Sequence, residues 1–291
     1  MRLKGFPMLV TRILTAIVLL AILLPALFAG SVVPFAAVVL VLMAAGGWEW
    51  GRLQGLGQPA SLAVGAACVL LCAASWAGGW TERPLTWLWA AAGAGWVLCG
   101  AWLLRHGVEG WPRIPHPVRL AGGVLALWLA WLAAVQARTI GINFLLSVLV
   151  LVWVADIFAY FAGRAFGLRF TRSKLAPSIS PGKSWEGVWG GMAGVIVLAL
   201  AWAAADAASQ APVPSFYSRL AAKGWWLLVI GAVFMACMSV VGDLVESLVK
   251  RSAGAKDSSR LLPGHGGVLD RVDALLPTLP LAMMLTHFAA P

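Results

Sequence analysis

The sequence predicts an all-α, polytopic integral membrane protein with about nine transmembrane helices. Three properties predict this fold class: 61% of the 291 residues are apolar, only 11% are charged, and the mean hydropathy is +0.88. A soluble globular domain has about 45 to 50% apolar and about 25% charged residues. This chain has too few polar side chains to cover a water-exposed surface, which excludes an ordinary soluble protein.

Apolar runs of nearly spanning length follow one another along the chain. A transmembrane helix needs about 20 mostly apolar residues, and we end each run at a charge, a Pro or a Gly cluster. The first run follows Arg2, Lys4 and Arg12, as in a signal peptide, but the later spans favour a retained helix. The predicted spans are residues 13–29, 31–48, 61–80, 85–104, 118–137, 140–163, 188–204, 225–249 and 274–290.

Basic residues fall mainly on one side of these spans. With the N-terminus inside, 17 of the 21 Lys and Arg residues lie in the tail and the inner loops, and 4 lie outside. Lys and Arg in short loops resist translocation. We therefore expect the tail and the loops near 105–119, 164–187 and 250–273 to face the cytoplasm. The net charge of +10 then belongs mostly to that face, which suits an anionic leaflet or anionic substrates.

Side chains capable of chemistry are scarce in the first half of the chain. We expect residues 1–137 to form an N-terminal transmembrane scaffold and residues 138–291 to form a C-terminal catalytic region within one integrated fold. All four cysteines lie inside apolar runs, and the four histidines are scattered. The sequence therefore predicts neither a disulfide framework nor a zinc site.

Acidic residues gather near the end of the chain. Asp243, Glu246 and Lys250 recur at steps of three and four in the eighth span, which places them on one helical face. Asp270 and Asp273 are three residues apart at the expected start of the ninth helix, so both carboxylates should point the same way. Carboxylates at membrane depth cost about 2.5 to 3.5 kcal/mol on insertion scales and normally face a partner or a polar cavity. Asp243, Asp270 and Asp273 suit a hard divalent cation, and oxygen ligands favour magnesium.

Basic side chains and a glycine-rich turn surround these acids. The turn from Pro263 to Gly267 would let backbone N–H groups approach an anion at a helix start. Acids for a metal and bases for phosphate indicate metal-assisted phosphoryl or nucleotidyl transfer, with ordinary loop salt bridges as the alternative. The bases that would pair with phosphate oxygens are Lys250, Arg251, Lys256, Arg260 and Arg271.

A second polar stretch precedes the seventh span. Ser180 and Lys183 lie in "SISPGKSW", where they either bind phosphate or are simply solvated. A Walker motif is excluded, because its first Gly would fall at Pro177 and no strand precedes it. Asp156, in the later half of the sixth span, is either a paired structural acid or a site residue.

The segment from Ser247 to Asp273 resembles the signature of the phosphatidate cytidylyltransferase (CDP-diacylglycerol synthase) family. That pattern runs Ser, Lys-Arg, Lys-Asp, a small residue, Pro, His-Gly-Gly, Asp-Arg, Asp, and the similarity extends upstream over roughly the C-terminal half. The matching residues are Ser247, Lys250, Arg251, Lys256, Asp257, Ser259, Pro263, His265, Gly266, Gly267, Asp270, Arg271 and Asp273.

The resemblance implies a multi-pass enzyme of the bacterial-type inner membrane, with its active site facing the cytoplasm. It implies that phosphatidate and CTP are converted to CDP-diacylglycerol and pyrophosphate, that magnesium is required, and that the protein forms a homodimer among membrane lipids. No nucleic-acid partner is expected. A second cation is left open. The alternative function is a membrane transporter using intramembrane acids, but a transporter's polar groups should run across the bilayer rather than gather at one face.

On this resemblance each polar residue receives an expected role. Asp243, Asp270 and Asp273 would hold magnesium. The triphosphate or the leaving group would be steadied by Lys250, Arg251, Lys256 and Arg271, and Lys183 with Ser180 would reach one of the phosphates. Glu246 and Asp156 either orient ligands or touch the cytosine or ribose, and His265 either binds phosphate with Gly266 and Gly267 or fixes the turn.

Overall fold

The computed structural model describes residues 6–288, with side chains from 10 to 287, and these residues form α-helices joined by short loops. Arg2 and Lys4 of the predicted inner tail lie outside the described residues. The helices are α1 (Phe6–Phe28), α2 (Val33–Leu53), α3 (Gln58–Ala77), α4 (Thr86–Gly110), α5 (His116–Ile140), α6 (Ile142–Phe166), α7 (Trp185–Ser209), α8 (Phe216–Ala221), α9 (Trp225–Ser252), α10 (Leu269–Val272) and α11 (Leu275–Phe288). The all-α membrane fold predicted from composition is confirmed.

Eight helices within the described part of the chain are long and apolar enough to cross a membrane. The ninth predicted span corresponds to α11, which has 14 residues and contains Pro280. The predicted span 274–290 extends past Phe288, and its last residues lie outside the described part of the chain. It packs against α4, α5 and α9, and Leu281 and Met283 on it are fully buried. The described part of the ninth run is therefore helical and packed against the other helices, and its crossing of the membrane stays a prediction.

Helices α6 and α7 pack closely against each other, and this pair positions the site. A Cβ added at Gly187 would lie 2.9 Å from the Ala159 carbonyl oxygen, and one at Gly191 would lie 2.9 Å from that of Ala155. Between membrane helices, where apolar burial gives little driving force, small residues at four-residue spacing permit such close backbone contact. The register of α6 against the start of α7 is thereby set.

The predicted inner loops meet at one end of the helix bundle. Ser252 at the end of α9 donates to the carbonyl of Val108 at 3.4 Å, and Arg251 Nε donates to that of Ile179 at 3.4 Å. Arg12 on α1 donates to the Gly264 carbonyl at 2.9 Å. The loops that the charge pattern placed on one side therefore lie together, and the compartment that they face stays a prediction.

The two regions separated at residue 137 are in contact at the other end of the bundle as well. Arg138 donates to the carbonyl of Leu27 at 2.8 Å and to the carbonyl of Ala29 at 2.7 Å. These bonds satisfy carbonyl groups left without partners where helices and turns end. The division into scaffold and catalytic regions stays a prediction.

Candidate active site

A buried cluster of charges lies at the inner-loop end of α9. Lys250 Nζ lies 2.5 Å from Glu246 Oε2, one helical turn earlier, and 2.6 Å from Asp270 Oδ1 on α10. The Lys250 side chain is 12% exposed and both carboxylates are 6% exposed. The polar stripe predicted along α9 is therefore an ion cluster that joins α9 to α10.

Asp270 is fixed by the loop that precedes it. Its Oδ2 accepts hydrogen bonds from the backbone N–H of Ser258 at 2.9 Å, from the Ser258 hydroxyl at 2.9 Å and from the Gly267 N–H at 2.8 Å. Burial alone would raise the pKa of Asp270, but the Lys250 ammonium and these N–H donors hold that pKa below its usual range. Asp270 is therefore an ionised carboxylate with both oxygens occupied.

A second ion pair joins the loop before α7 to α9. Lys183 Nζ lies 2.6 Å from Asp243 Oδ2 on α9. Both residues line a cavity of about 410 Å³ between α6, α7 and α9, together with Asp156, Tyr160 and Arg164. Asp156 is open to this cavity rather than enclosed by helices. The structure thus brings together Asp156, Asp243 and Lys183, which lie far apart in the sequence.

Asp273 belongs electrostatically with this cavity. Burial, and then the negative charges of Asp243 and Asp156, raise the pKa of Asp273 to about 7. Its Oδ1 accepts from the N–H of Ala274 at 2.8 Å, whereas Asp270 is bound by Lys250 and the preceding loop. The two carboxylates predicted to point the same way therefore have different partners.

Oxygen ligands for magnesium are present, but the described side chains are not already arranged as a metal-binding cage. Among the described residues, no group of three His, Cys, Asp or Glu side chains already has the geometry of a metal site. Magnesium commonly uses one or two carboxylates together with substrate phosphates, so such a cage is not required. Asp243 and Asp273 fit this requirement, since the negative charge of Asp243 contributes to raising the pKa of Asp273. Asp270 fits less directly because its oxygens already have partners, and its place in the metal set stays a prediction.

The loop from 174 to 184 contains a folded turn. Residues Ala176 and Ser180 form an isolated antiparallel bridge, and Lys183 N–H donates to the Ser180 carbonyl at 3.2 Å. Ser184 caps α7 by accepting from the Gly187 N–H at 3.2 Å. Lys183 is consequently held at the mouth of the cavity. Ser180 lies in the turn, and its contact with phosphate stays a prediction.

The remaining predicted phosphate ligands are spread around the cluster. Arg251 donates to the carbonyls of Ile179 and Ala255, so it ties two loops together. Arg271 is exposed at the surface of α10. Lys256 lines a separate open cavity of about 670 Å³, with Arg52 and Arg260 also in its wall. Within the described part of the chain, the basic side chains that form ion pairs with the predicted carboxylates are Lys183 and Lys250.

The glycine-rich turn donates a hydrogen bond to Asp270 of the protein itself. Leu262 and Gly266 form an antiparallel bridge around His265, and Gly266 has a φ of +84°. A Cβ at Gly266 would also lie 2.7 Å from Asp270 Oδ2, so the turn requires glycine there on both grounds. The Gly267 N–H, predicted to approach a bound anion, donates to Asp270. Substrate binding by His265, Gly266 and Gly267 stays a prediction.

One residue at the site lies in the half expected to be scaffold. Glu49, near the end of α2, is completely buried and is hydrogen-bonded to the segment 258–269. Glu49 was not predicted from the sequence, although an acid within an apolar run, between Trp48 and Trp50, was a signal that it needs a partner. The catalytic region therefore has a direct polar contact with α2.

Comparison with known proteins identifies the family. The sequence profile of the Cytidylyltransferase family matches residues 10–289. A phosphatidate cytidylyltransferase of Pseudomonas aeruginosa is 38% identical over 283 residues, covering 94% of this chain and 95% of that protein. The phosphatidate cytidylyltransferase of Haemophilus influenzae is 36% identical over 293 residues, covering 94% and 96%. That of Bacillus subtilis is 37% identical over 145 residues, about half of each chain. These matches confirm the resemblance seen in the signature, and the chain belongs to the cytidylyltransferase family.

Proposed function

We propose that this protein transfers the cytidylyl group of CTP to phosphatidate, giving CDP-diacylglycerol and pyrophosphate. Relatives named phosphatidate cytidylyltransferase align over nearly the whole chain. The observation that carries the proposal is the buried cluster in which Lys250 contacts Glu246 and Asp270, next to the cavity holding Lys183 and Asp243. Family membership does not favour the alternative of a transporter.

The proposed reaction is an in-line displacement at phosphorus. An oxygen of the phosphatidate phosphate attacks the α-phosphorus of CTP, a new P–O bond forms, and the bond to the β-phosphate oxygen breaks to release pyrophosphate. Phosphatidate is already an anion, so no general base is needed. The obstacle is repulsion between two polyanions, and fixed cations in a poorly solvated site offset it most effectively.

Lys183 and Lys250 are the fixed cations nearest the carboxylates. Lys250 lies between two acids in a largely buried position, so its ammonium is both charged and held in place. We assign Lys250 to the triphosphate and Lys183 to a phosphate bound in the cavity beside Asp243. Asp270 and Glu246 orient Lys250, and Asp270 is itself oriented by Ser258 and Gly267.

Asp243 and Asp273 are the residues we propose to hold magnesium, with Asp156 nearby in the same cavity. When bound, magnesium would neutralise phosphate charge and polarise a phosphoryl oxygen. The support is the effect of the Asp243 charge on the pKa of Asp273 and the position of Asp243 beside Lys183. A second cation and the predicted participation of Asp270 belong to the same proposal.

The lipid substrate fits the cavity between α6, α7 and α9. Apolar side chains on the nearby face of the helix pair are exposed, among them Tyr160, Phe161 and Trp189. Acyl chains left in the bilayer beside these residues avoid an extraction cost of about 0.8 kcal/mol for each exposed CH₂. We therefore propose that the headgroup enters laterally toward Lys183 and Arg164. The cytoplasmic orientation, an inner-membrane location and a homodimer are part of the proposal.

A direct assay tests this function. The purified protein is incubated with phosphatidate, magnesium and CTP labelled in the cytosine ring, and the lipid fraction is analysed. We expect a labelled lipid and an equal amount of pyrophosphate. If a folded preparation yields no labelled lipid, the proposal is wrong. Solute flux in vesicles without CTP would support the transporter instead.

A further inference from the structure

The Glu49 carboxylate is completely removed from solvent, and hydrogen bonds rather than a cationic side chain compensate for its burial. It lies near the end of α2 and is 0% exposed. Among the described residues no Lys, Arg or His lies within salt-bridge distance of it. A buried carboxylate without a cation is costly unless several donors compensate it, so its hydrogen bonds indicate what it does.

Four donors converge on Glu49, and all of them come from the segment that carries the signature. Oε1 accepts from the Ser259 hydroxyl at 2.5 Å and from the Val268 N–H at 2.9 Å. Oε2 accepts from the Ser258 hydroxyl at 3.2 Å and from the Leu269 N–H at 2.8 Å. Val268 is the N-cap of α10 and Leu269 is its first residue, and the N–H groups at a helix start need acceptors. Glu49 thus holds both ends of the 258–269 loop.

Ser258 connects Glu49 to the candidate active site. Its hydroxyl lies 3.2 Å from Glu49 Oε2 and 2.9 Å from Asp270 Oδ2, so one proton is shared between two carboxylates. Gly267 lies against the same groups, since a Cβ there would be 2.0 Å from Ser258 Oγ and 2.3 Å from Glu49 Oε1. Only a residue without a side chain allows this approach.

We propose that Glu49 is a positioning residue for the transfer reaction. By holding the 258–269 loop, it fixes Asp270 and through Asp270 the Lys250 ammonium at 2.6 Å. This inference rests on the proposed function for its effect on turnover, although the positioning itself does not depend on which substrate is used. The first half of the chain therefore supplies part of the site's geometry as well as its membrane support.

A merely structural anchor would behave differently from a positioning residue. Loss of an anchor lowers the amount or the thermal stability of folded protein but leaves kcat per folded molecule unchanged. Loss of a positioning residue lowers kcat in molecules that are still folded. The KM for phosphatidate should change little, because no residue lining the lipid cavity contacts Glu49.

Glu49→Gln is the informative variant because it keeps the size of the side chain. Its amide nitrogen must replace one acceptor oxygen, which places an N–H donor against Val268 or Leu269. The matched control is Gln136→Leu, at the opposite end of the bundle. Gln136 is also buried in the first half of the chain and makes three hydrogen bonds, to Trp89, Trp80 and Arg83.

The experiment measures turnover and backbone hydrogen exchange on monodisperse full-length protein. For Glu49→Gln we expect kcat at least about tenfold lower with KM for phosphatidate within about twofold. Amide exchange should be at least about tenfold faster in residues 258–269 and unchanged near Gln136. Gln136→Leu should show the reverse exchange pattern and a normal kcat.

Two results would overturn the proposal. One is a wild-type kcat in folded Glu49→Gln protein, and the other is exchange that rises equally throughout the molecule. If the wild-type protein itself makes no CDP-lipid, the proposed function fails, and the exchange pattern still decides whether Glu49 positions the loop.

Discussion

Replacing Lys250 by Met should affect both the stability of the charge cluster and the rate of catalysis. The Lys250 ammonium lies 2.5 Å from Glu246 and 2.6 Å from Asp270, and the three side chains are at most 12% exposed. Lys250→Met keeps the aliphatic stem but leaves two buried carboxylates without their cation. Removing one partner of a buried ion pair costs about 3 to 5 kcal/mol, so we expect a destabilisation of that size.

The same change should remove a fixed positive charge from the transition state. Loss of one preorganised electrostatic donor typically lowers kcat about 100- to 1,000-fold, and we expect a loss in this range for Lys250→Met. Unfolding is followed by thermal denaturation in detergent, and turnover by the labelled-CTP assay. A destabilised protein alone would also lose activity, so the single variant does not separate the two effects.

The double variant Glu246→Gln with Lys250→Met makes the separation. It removes the Glu246 carboxylate, which is one of the two that Lys250 contacts, while Asp270 retains its hydrogen bonds from Ser258 and Gly267. We expect most of the lost stability to return and the activity to stay low. Recovery of turnover together with stability would refute the reasoning, because Lys250 would then be only a structural cation.

Three further predictions follow from the geometry of the site. Lys183→Ala should change the free energy of unfolding by less than about 1 kcal/mol, because the ion pair with Asp243 is partly exposed. The same variant should raise the KM for phosphatidate in the labelled-CTP assay, and an unchanged KM would contradict the assignment of Lys183 to a phosphate. Gly267→Ala should abolish turnover and destabilise the protein by about 1 to 3 kcal/mol. The control Gly30→Ala should leave thermal unfolding and turnover unchanged, because nothing lies within 4 Å of the new Cβ. Chelation of divalent cations should stop turnover, and added magnesium should restore it; full turnover in excess chelator would exclude the metal proposal.

Much of the fold was predictable because hydropathy and charge act locally along the chain. The eight long helices fall on predicted apolar runs, and the inner loops meet at one end of the bundle. The contact of Glu246 with Lys250 also follows from helical spacing. The ninth run is helical over Leu275–Phe288, as its apolar pattern predicted.

The finer geometry of the site depends on contacts that sequence spacing does not encode. Asp270 and Asp273 are three residues apart, yet one is bound by Lys250 and the loop, and the other lies beside Asp243. Glu49 meets Ser259 across 210 positions of sequence, and no local pattern specifies such a pairing. The residue types therefore indicated the chemistry of the site, but the contact partner of each residue could be identified only from the folded structure.

The most direct test of the central claim compares wild-type protein with Asp243→Asn in vesicles of the same composition. Labelled CTP, phosphatidate and magnesium are supplied, and labelled lipid and pyrophosphate are measured together with thermal unfolding. We predict equal amounts of both products from the wild type and none from a variant that unfolds at nearly the same temperature. An Asp243→Asn protein that turns over at the wild-type rate would contradict the proposed role of these carboxylates.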